Sequence, residues 1–371
     1  MESIEQMIKR LCPKGVEYVK LGEVCDVLRG KRLTKKELFD DAQYKVFHGG
    51  LSPIGYYTKA NRQAQTVMVI NVGASAGTVG FCEEDFWSSD GCFCLSHNDS
   101  VIHPKYLYYY LAKHQISIQS RVRKAGIPTL DAGAVMDILI PLPPLEIQSR
   151  IVEVLDKMTT LTSELEAELK AELETRKQQY EYYRNKLLTF SEIGEGNRQV
   201  TWKKISEICV KVYSGRNKSK TEQGLYPVYG STGIIGMCES PVYNKRQILV
   251  ARVGANAGFV HLADGSYDVS DNTIIIDLSK EVNQKFVFYM LRNANLNKFA
   301  KGGGQPLLTA TQIKDFVIPV PSMQEQQRIV SILDRFEALT TDLQSGLPAE
   351  IEARRQQYEY YRNKLLTFET V

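Results

Sequence analysis

No apolar run in this chain approaches the roughly 18 residues that a membrane span needs. Its opening residues, MESIEQMIKRLCPKG, put no apolar stretch behind their charges, so no secretory signal and no membrane partner are expected. Cysteine is sparse and irregular: seven residues, at 12, 25, 82, 92, 94, 209 and 238, an odd number without zinc-ligand spacing. Cys92-Phe93-Cys94 suits a pleated strand better than a metal knuckle, and the setting reads as reducing and cytoplasmic. Five scattered histidines (48, 97, 103, 114, 261) read as surface or turn residues. There is no Gly-x4-Gly-Lys-Ser/Thr phosphate loop and no Asn-Pro-Pro-aromatic motif for amino-methyl transfer. Gly73 to Gly77 is too short for a dinucleotide fingerprint and reads as a β-turn. Glu168-Leu169-Lys170 lacks a Pro-Asp partner and reads as a helix-face charge pair. Catalysis, a metal and a cofactor are therefore not expected. Charge imbalance is missing too: 46 basic against 43 acidic residues leave +3, which alone argues against a nucleic-acid binder.

What the chain does have is length and repetition. Its 371 residues, 43% hydrophobic with 20 Tyr and 13 Phe, can bury two or three cores, so disorder is excluded. Gln178 to Phe190 reads QQYEYYRNKLLTF, and Gln356 to Phe368 repeats it in full. At the same offset Ile140-Pro141-Leu142-Pro143 matches Ile318-Pro319-Val320-Pro321, and Arg150-Ile151-Val152 matches Arg328-Ile329-Val330. Further upstream Val72 to Gly77 pairs with Val253 to Gly258, and Ser89-Asp90 with Ser270-Asp271. The order is globule, helix, globule, helix.

Helical seams follow each Pro-rich border: Ile151, Leu155, Met158, Leu161, Leu165, Leu169, Leu173, Tyr180, Tyr183 and Leu187, then Ile329 through Leu365. Each run would reach about 65 Å if unbroken. The second run contains Ser345-Gly346-Leu347-Pro348, and proline inside a helix costs about 3 kcal/mol. A break or kink near Gly346 is predicted, with Pro348 in the first turn of the restart. The globules read as short strands (65–72, 247–253, 272–278), short helices (104–114, 285–293) and closing strands (138–141, 317–319). The fold class is α+β: two tandem α/β globules, separated and followed by long helices that pair as an antiparallel coiled coil in a pseudo-two-fold repeat. The expected boundaries are 1–145, 146–190, 191–322 and 323–371.

Resolved by region, the charge separates. Residues 1–145 carry +2 and 191–322 carry +5, while 146–190 and 323–371 carry −2 each. Within the first globule Arg29 to Lys36 holds five cations in eight positions, and Gly215 to Lys220 is its counterpart. A glycine-led basic loop brings amides and cations to phosphate; the plainer reading is a solvated charged loop. Two such loops at matching places favour DNA.

These residues resemble the specificity subunits of type I restriction–modification systems along the whole chain. The signature is the Ile-Pro-x-Pro border, then Glu325-Gln326 and Arg328-Ile329-Val330, and later the Gln-Tyr-Glu-Tyr-Tyr-Arg-x-Lys-Leu-Leu tail, here present twice. The first copy departs from it, with Ile147 before Gln148. Gly302-Gly303-Gly304-Gln305-Pro306 fits a further family pattern, whereas Gly126-Ile127-Pro128 lacks the glutamine.

The resemblance implies a non-catalytic subunit whose two target recognition domains each read half of a bipartite asymmetric site. Its partners would be double-stranded DNA, two copies of a methyltransferase (modification) subunit and a restriction/translocase subunit. The helices would set the spacer. Rival readings are a stand-alone DNA-modifying enzyme and a non-DNA coiled-coil scaffold.

Lys31, Arg32, Lys35 and Lys36, with Arg216, Lys218 and Lys220, are the leading DNA-contact candidates. Arg252 could read guanine bidentately, and its counterpart Asn71 would suit adenine; the alternative is that both stabilise turns. His48 and Tyr229 flank glycine turns and are candidates for stacking or base contact. Glu181, Arg184, Asn185, Glu359, Arg362 and Asn363 lie off the helix seam and are partner-docking candidates. Core packing would explain the identity of the seam residues Tyr180, Tyr183 and Leu187 and their counterparts but not of these six. A recent duplication or recombination would also leave the tails identical.

Overall fold

The computed structural model describes residues 2–190, 200–218, 220–302, 304–341 and 346–369. The chain divides into two units, one built from Met1–Glu168 with Glu352–Val371, the other from Leu169–Ile351. Both have the same α+β topology.

In the first unit a four-stranded antiparallel sheet runs in the order Cys25–Arg29, Cys92–His97, Thr66–Ile70, Val79–Cys82. A smaller sheet joins Gly55–Tyr57, Tyr44–Phe47 and Trp87–Ser88. The entering strand Tyr18–Lys20 pairs with the closing strand Leu139–Pro141. The second unit repeats this with Cys209–Ser214, Thr273–Leu278, Gln247–Ala251 and Val260–Ala263 in its main sheet. There Thr201–Lys204 pairs with Val317–Val320. The central strands are apolar on both faces: Met68 and Ile70 face one side, Val67 and Val69 the other, and all four are buried.

One helix backs each main sheet. Pro104–Lys113 buries Tyr106, Leu107, Tyr109, Tyr110 and Leu111. Gln284–Asn293 buries Phe286, Val287, Tyr289, Met290 and Leu291. Each is tied to a long helix by the same pair of contacts. The Tyr109 hydroxyl donates to Asp156 at 2.6 Å and Lys105 lies 3.2 Å from it; Tyr289 and Lys285 meet Asp334 at 2.6 and 2.7 Å. Burial beside a carboxylate pushes both tyrosine hydroxyls well above their ordinary pKa.

The matched glutamines at the border have a structural use. Gln148 and Gln326 are buried; each donates to a proline carbonyl (Pro143 at 2.8 Å, Pro321 at 2.9 Å) and accepts the amide of His103 or Asn283 at 2.8 Å. Ile147, by contrast, is fully buried apolar core, whereas Glu325 pairs with Arg328 near the surface.

The first long helix is unbroken from Leu145 to Leu188. In the second run one helix covers Met323–Thr341 and another Leu347–Leu365, with Pro348 in its first turn, where its missing N–H has no intrahelical partner. Residues 342–345, including Ser345 of the expected break, lie outside the described residues.

Within the first unit Thr159 meets Tyr358 at 2.9 Å and Glu166 meets Arg355 at 3.6 Å, an antiparallel pairing. Within the second, Tyr183 stacks on Phe336 at 5.5 Å. Leu161 and Leu339, read as seam positions, stand 64% and 37% exposed instead, and Thr340 is buried. A 3.6-residue turn drifts about 20° per heptad from a 3.5 repeat, which carries the seam past these leucines.

The tails close the cores. Leu366 and Phe368 belong to the first unit's core, and the Val16 amide donates to the Glu369 carbonyl at 3.0 Å. Leu188 belongs to the core of the second.

Candidate nucleic-acid interface

In each unit one end of the main sheet gathers three turns. Arg29 lies opposite Phe93 and Ile70 opposite Cys92, so the loop after Arg29, the turn before Cys92 and the turn after Ile70 leave the sheet together. In the second unit Ser214 faces Ile274 and Ala251 faces Thr273, to the same effect.

The basic loops begin at Gly30 and Gly215, where the chain passes over the serine turns. The Lys31 amide donates to the Ser88 carbonyl at 2.9 Å and the Arg216 amide to Val269 at 3.0 Å. Trp87 donates its indole N–H to the Lys31 carbonyl at 2.7 Å. Beyond these anchors Lys31, Arg32, Lys35 and Lys36 are exposed, the last two in a short turn (Lys35–Glu37) capped by Thr34 and Glu37. In the second loop Asn217 holds the buried Asp268 at 2.5 Å, leaving Arg216, Lys218 and Lys220 exposed. None of these seven cations is in a salt bridge among the described residues. Elsewhere Lys20, Lys45, Lys245 and Arg246 are each paired with a carboxylate. The faces thus present cations without carboxylate partners to anionic groups.

Asn71 and Arg252 occupy equivalent positions: their carbonyls accept the Leu130 and Leu308 amides, each at 2.8 Å. Their side chains differ in exposure. Asn71 is 3% exposed and its Oδ1 is buried without a hydrogen-bond partner, so the surface shows almost none of it. Arg252 is half-buried.

His48 is also partly exposed, with Nδ1 3.3 Å from Asp90 Oδ1. Tyr229 packs edge-on against Tyr267 at 5.5 Å and backs an apolar cluster; burial pushes its hydroxyl pKa up. Its counterpart is the buried Phe47, since the Ser89 and Ser270 amides donate to the Phe47 and Tyr229 carbonyls. Tyr229 is part of the wall behind the turn.

The structure brings to each face a hairpin around the family-pattern prolines Pro128 and Pro306, which were not among the expected DNA-contact residues. Arg123 and Thr129 exchange backbone hydrogen bonds at 2.9 and 3.1 Å, as do Lys301 and Leu307 at 2.9 and 2.8 Å. Each hairpin is fastened to the turn beside it, because Gly73 donates to the Pro128 carbonyl and Gly254 to that of Pro306. Exposed Arg123 and Lys124 enter the first face this way, and Lys301 the second. Three cations in the four residues 121–124 were the available signal; their neighbour was set by topology.

On the helix tails Glu181, Asn185, Glu359 and Asn363 are exposed. Arg184 and Arg362 are not free: their guanidinium groups sit over Tyr180 and Tyr358 at 5.5 and 5.7 Å, with each Nε buried. Packing therefore accounts for the two arginines but not for the glutamates and asparagines. Tyr182 and Tyr360 stand 58% and 64% exposed in both tails and extend the same surface. Among the described residues no helix is long and apolar enough to cross a membrane, and no three His, Cys, Asp or Glu converge as metal ligands.

Comparison with known proteins gives a consistent result. The family model described as the type I restriction modification DNA specificity domain matches twice, at residues 13–175 and 197–353. The chain is 31% identical over 414 aligned positions to the EcoR124I/EcoR124II type I restriction enzyme specificity subunit of Escherichia coli, covering 99% of this chain and 98% of that one. It is 34% identical over 313 positions to a putative type I specificity subunit of Mycoplasma pneumoniae, covering 79% and 90%. Its fold is similar to the crystal structure of the HsdS subunit from Thermoanaerobacter tengcongensis, with TM-score 0.60, 17% identity and coverage of 95% and 97%.

Proposed function

This chain belongs to the family of type I restriction–modification DNA specificity domains, and from that premise we propose how its residues divide the work. It is the non-catalytic, DNA-recognising component of a type I complex, with one specificity domain per half of a bipartite target. The observation that carries the reading is the recurrence of one basic face, built on the same sheet end, in both units.

Lys31, Arg32, Lys35 and Lys36, with Arg216, Lys218 and Lys220, are placed on phosphates, where they set register. Base reading falls to the turns, with Arg252 on guanine in the second unit. The faces differ at matched positions: Arg252 is partly open where Asn71 is enclosed, and exposed Arg32 stands where Asn217 is tied to Asp268. The two half-sites should therefore differ, which makes the target asymmetric.

The tails do the opposite and offer the same exposed residues twice, through Glu181, Asn185, Glu359 and Asn363. Repeated surfaces suit two copies of one partner, the methyltransferase subunit, with a restriction/translocase subunit joining that assembly. The helical segments between the globules set the spacer. Seven free thiols fit a reducing, cytoplasmic location.

The test is co-expression with the cognate methyltransferase subunit, mapping of methylated bases across the genome, and duplex binding at several salt concentrations. A bipartite motif with salt-dependent binding is expected. Methylation by this chain alone would support the rival enzyme; no salt-dependent duplex binding by the assembled complex would support the scaffold.

A further inference from the structure

We infer that Ile127 and Gln305, the residues before the prolines of the two fastened hairpins, are base-reading positions with opposite chemistry; this rests on the DNA-recognition reading above.

Ile127 is 71% exposed. The backbone leaves it little freedom. Arg123 and Thr129 close the hairpin, the Pro128 carbonyl accepts the Gly73 amide at 2.9 Å, and the Thr129 hydroxyl donates to the Ile127 carbonyl at 2.9 Å. Gly126 supplies a φ of +79° that a side chain would resist. The isoleucine is thus presented outward by a built turn, beside exposed Arg123 and Lys124.

In the second unit the same closure, Lys301 with Leu307, and the same link, Gly254 to Pro306 at 3.0 Å, place Gln305 at the equivalent point, also exposed. Neither side chain serves the core. Cations flanking an outward apolar group fit a duplex surface better than a protein groove. In the major groove the apolar feature is the C5-methyl of thymine, and the feature matched by a glutamine amide is the N6/N7 edge of adenine. Ile127 therefore contacts a thymine methyl in one half-site, and Gln305 an adenine edge in the other.

The experiment uses the complex of this chain with its cognate methyltransferase subunit, in wild-type form and as Ile127→Gln, Ile127→Ala and Gln305→Ile. Methylated motifs are mapped genome-wide. The Ile127 variants are expected to relax or change one position of one half-site, and Gln305→Ile one position of the other. Replacing the contacted thymine by deoxyuridine should weaken wild-type binding about fourfold, the value of one buried methyl group, and leave Ile127→Ala unaffected. Unchanged motifs in all three variants would overturn the inference. So would a uniform fall in methylation with the motif intact, or thymine and deoxyuridine binding alike to the wild type at every position. If the wild-type complex yields no bipartite motif, it is the DNA-recognition reading itself that fails.

Discussion

Gly30 passes Ser89 so closely that a Cβ on the glycine would stand 2.1 Å from the Ser89 carbonyl oxygen. Gly215 meets Ser270 in the same way, at 2.4 Å. The obstacle is backbone, so it cannot swing aside. Gly30→Ala is expected to displace the loop carrying Lys31 and Arg32 and to weaken duplex binding by roughly tenfold or more at low salt. The slope of log affinity against log salt should fall by about 0.9 for each phosphate that the displaced cations no longer neutralise. Binding isotherms of the methyltransferase complex at several salt concentrations measure both, and an unchanged slope would separate the loop from phosphate.

Arg252→Ala probes reading instead of attraction. A bidentate guanine contact is worth about 1–3 kcal/mol of discrimination, so methylation should spread to related sequences at one position of one half-site. Uniform weakening on all sequences would mark Arg252 as a phosphate contact.

A half-length chain, residues 1–190, is expected to pair with itself and specify a symmetric target. The first unit's core is closed by Leu366 and Phe368. The segment 178–190 has the sequence of 356–368, so a second copy can supply what the truncation removes. Light scattering should report a dimer. Leu188→Asp, at the position equivalent to Leu366, should abolish pairing; a wild-type half that stays monomeric would count against the arrangement.

His103 caps the first unit's Pro104–Lys113 helix by accepting the Lys105 amide through Nδ1 at 3.2 Å, where the second unit uses Asn283. Burial holds the His103 pKa below its ordinary value, so the folded state favours the neutral ring. The stability is intact above about pH 6.5 and is lost as pH falls through that value toward the depressed folded pKa. His103→Asn removes this titration while keeping the cap, worth about 1 kcal/mol. Thermal unfolding at pH 5 and 7.5 should show a shallower acid loss in the variant. Part of the slope should survive, because burial also depresses His114 and His261.

Much of this architecture was legible from spacing alone. The repeated tail, the Pro-rich borders and the strand at Thr66–Ile70 each rest on a local pattern that the fold preserves. The fastening of Pro128 to Gly73 was not, because it joins segments more than 50 residues apart through backbone atoms that any residue carries. Asn71 and Arg252 align in sequence, yet only packing decides that one is enclosed and the other partly open. Arg184 and Arg362 lie off the leucine seam, yet each reaches the ring of a tyrosine four residues earlier, a contact that a seam pattern does not reveal.

Leu366 and Phe368 complete a core whose other members nearly all precede residue 156. On the ribosome the first globule must therefore wait, its apolar wall uncovered, while some 200 further residues are synthesised. The second globule has no such delay, since Leu188 is already made when its strands emerge. A message interrupted late would leave the earlier half unsealed and the later half sound, so the interval between those two events is when a nascent chain is most open to chaperones, proteases or a sister copy.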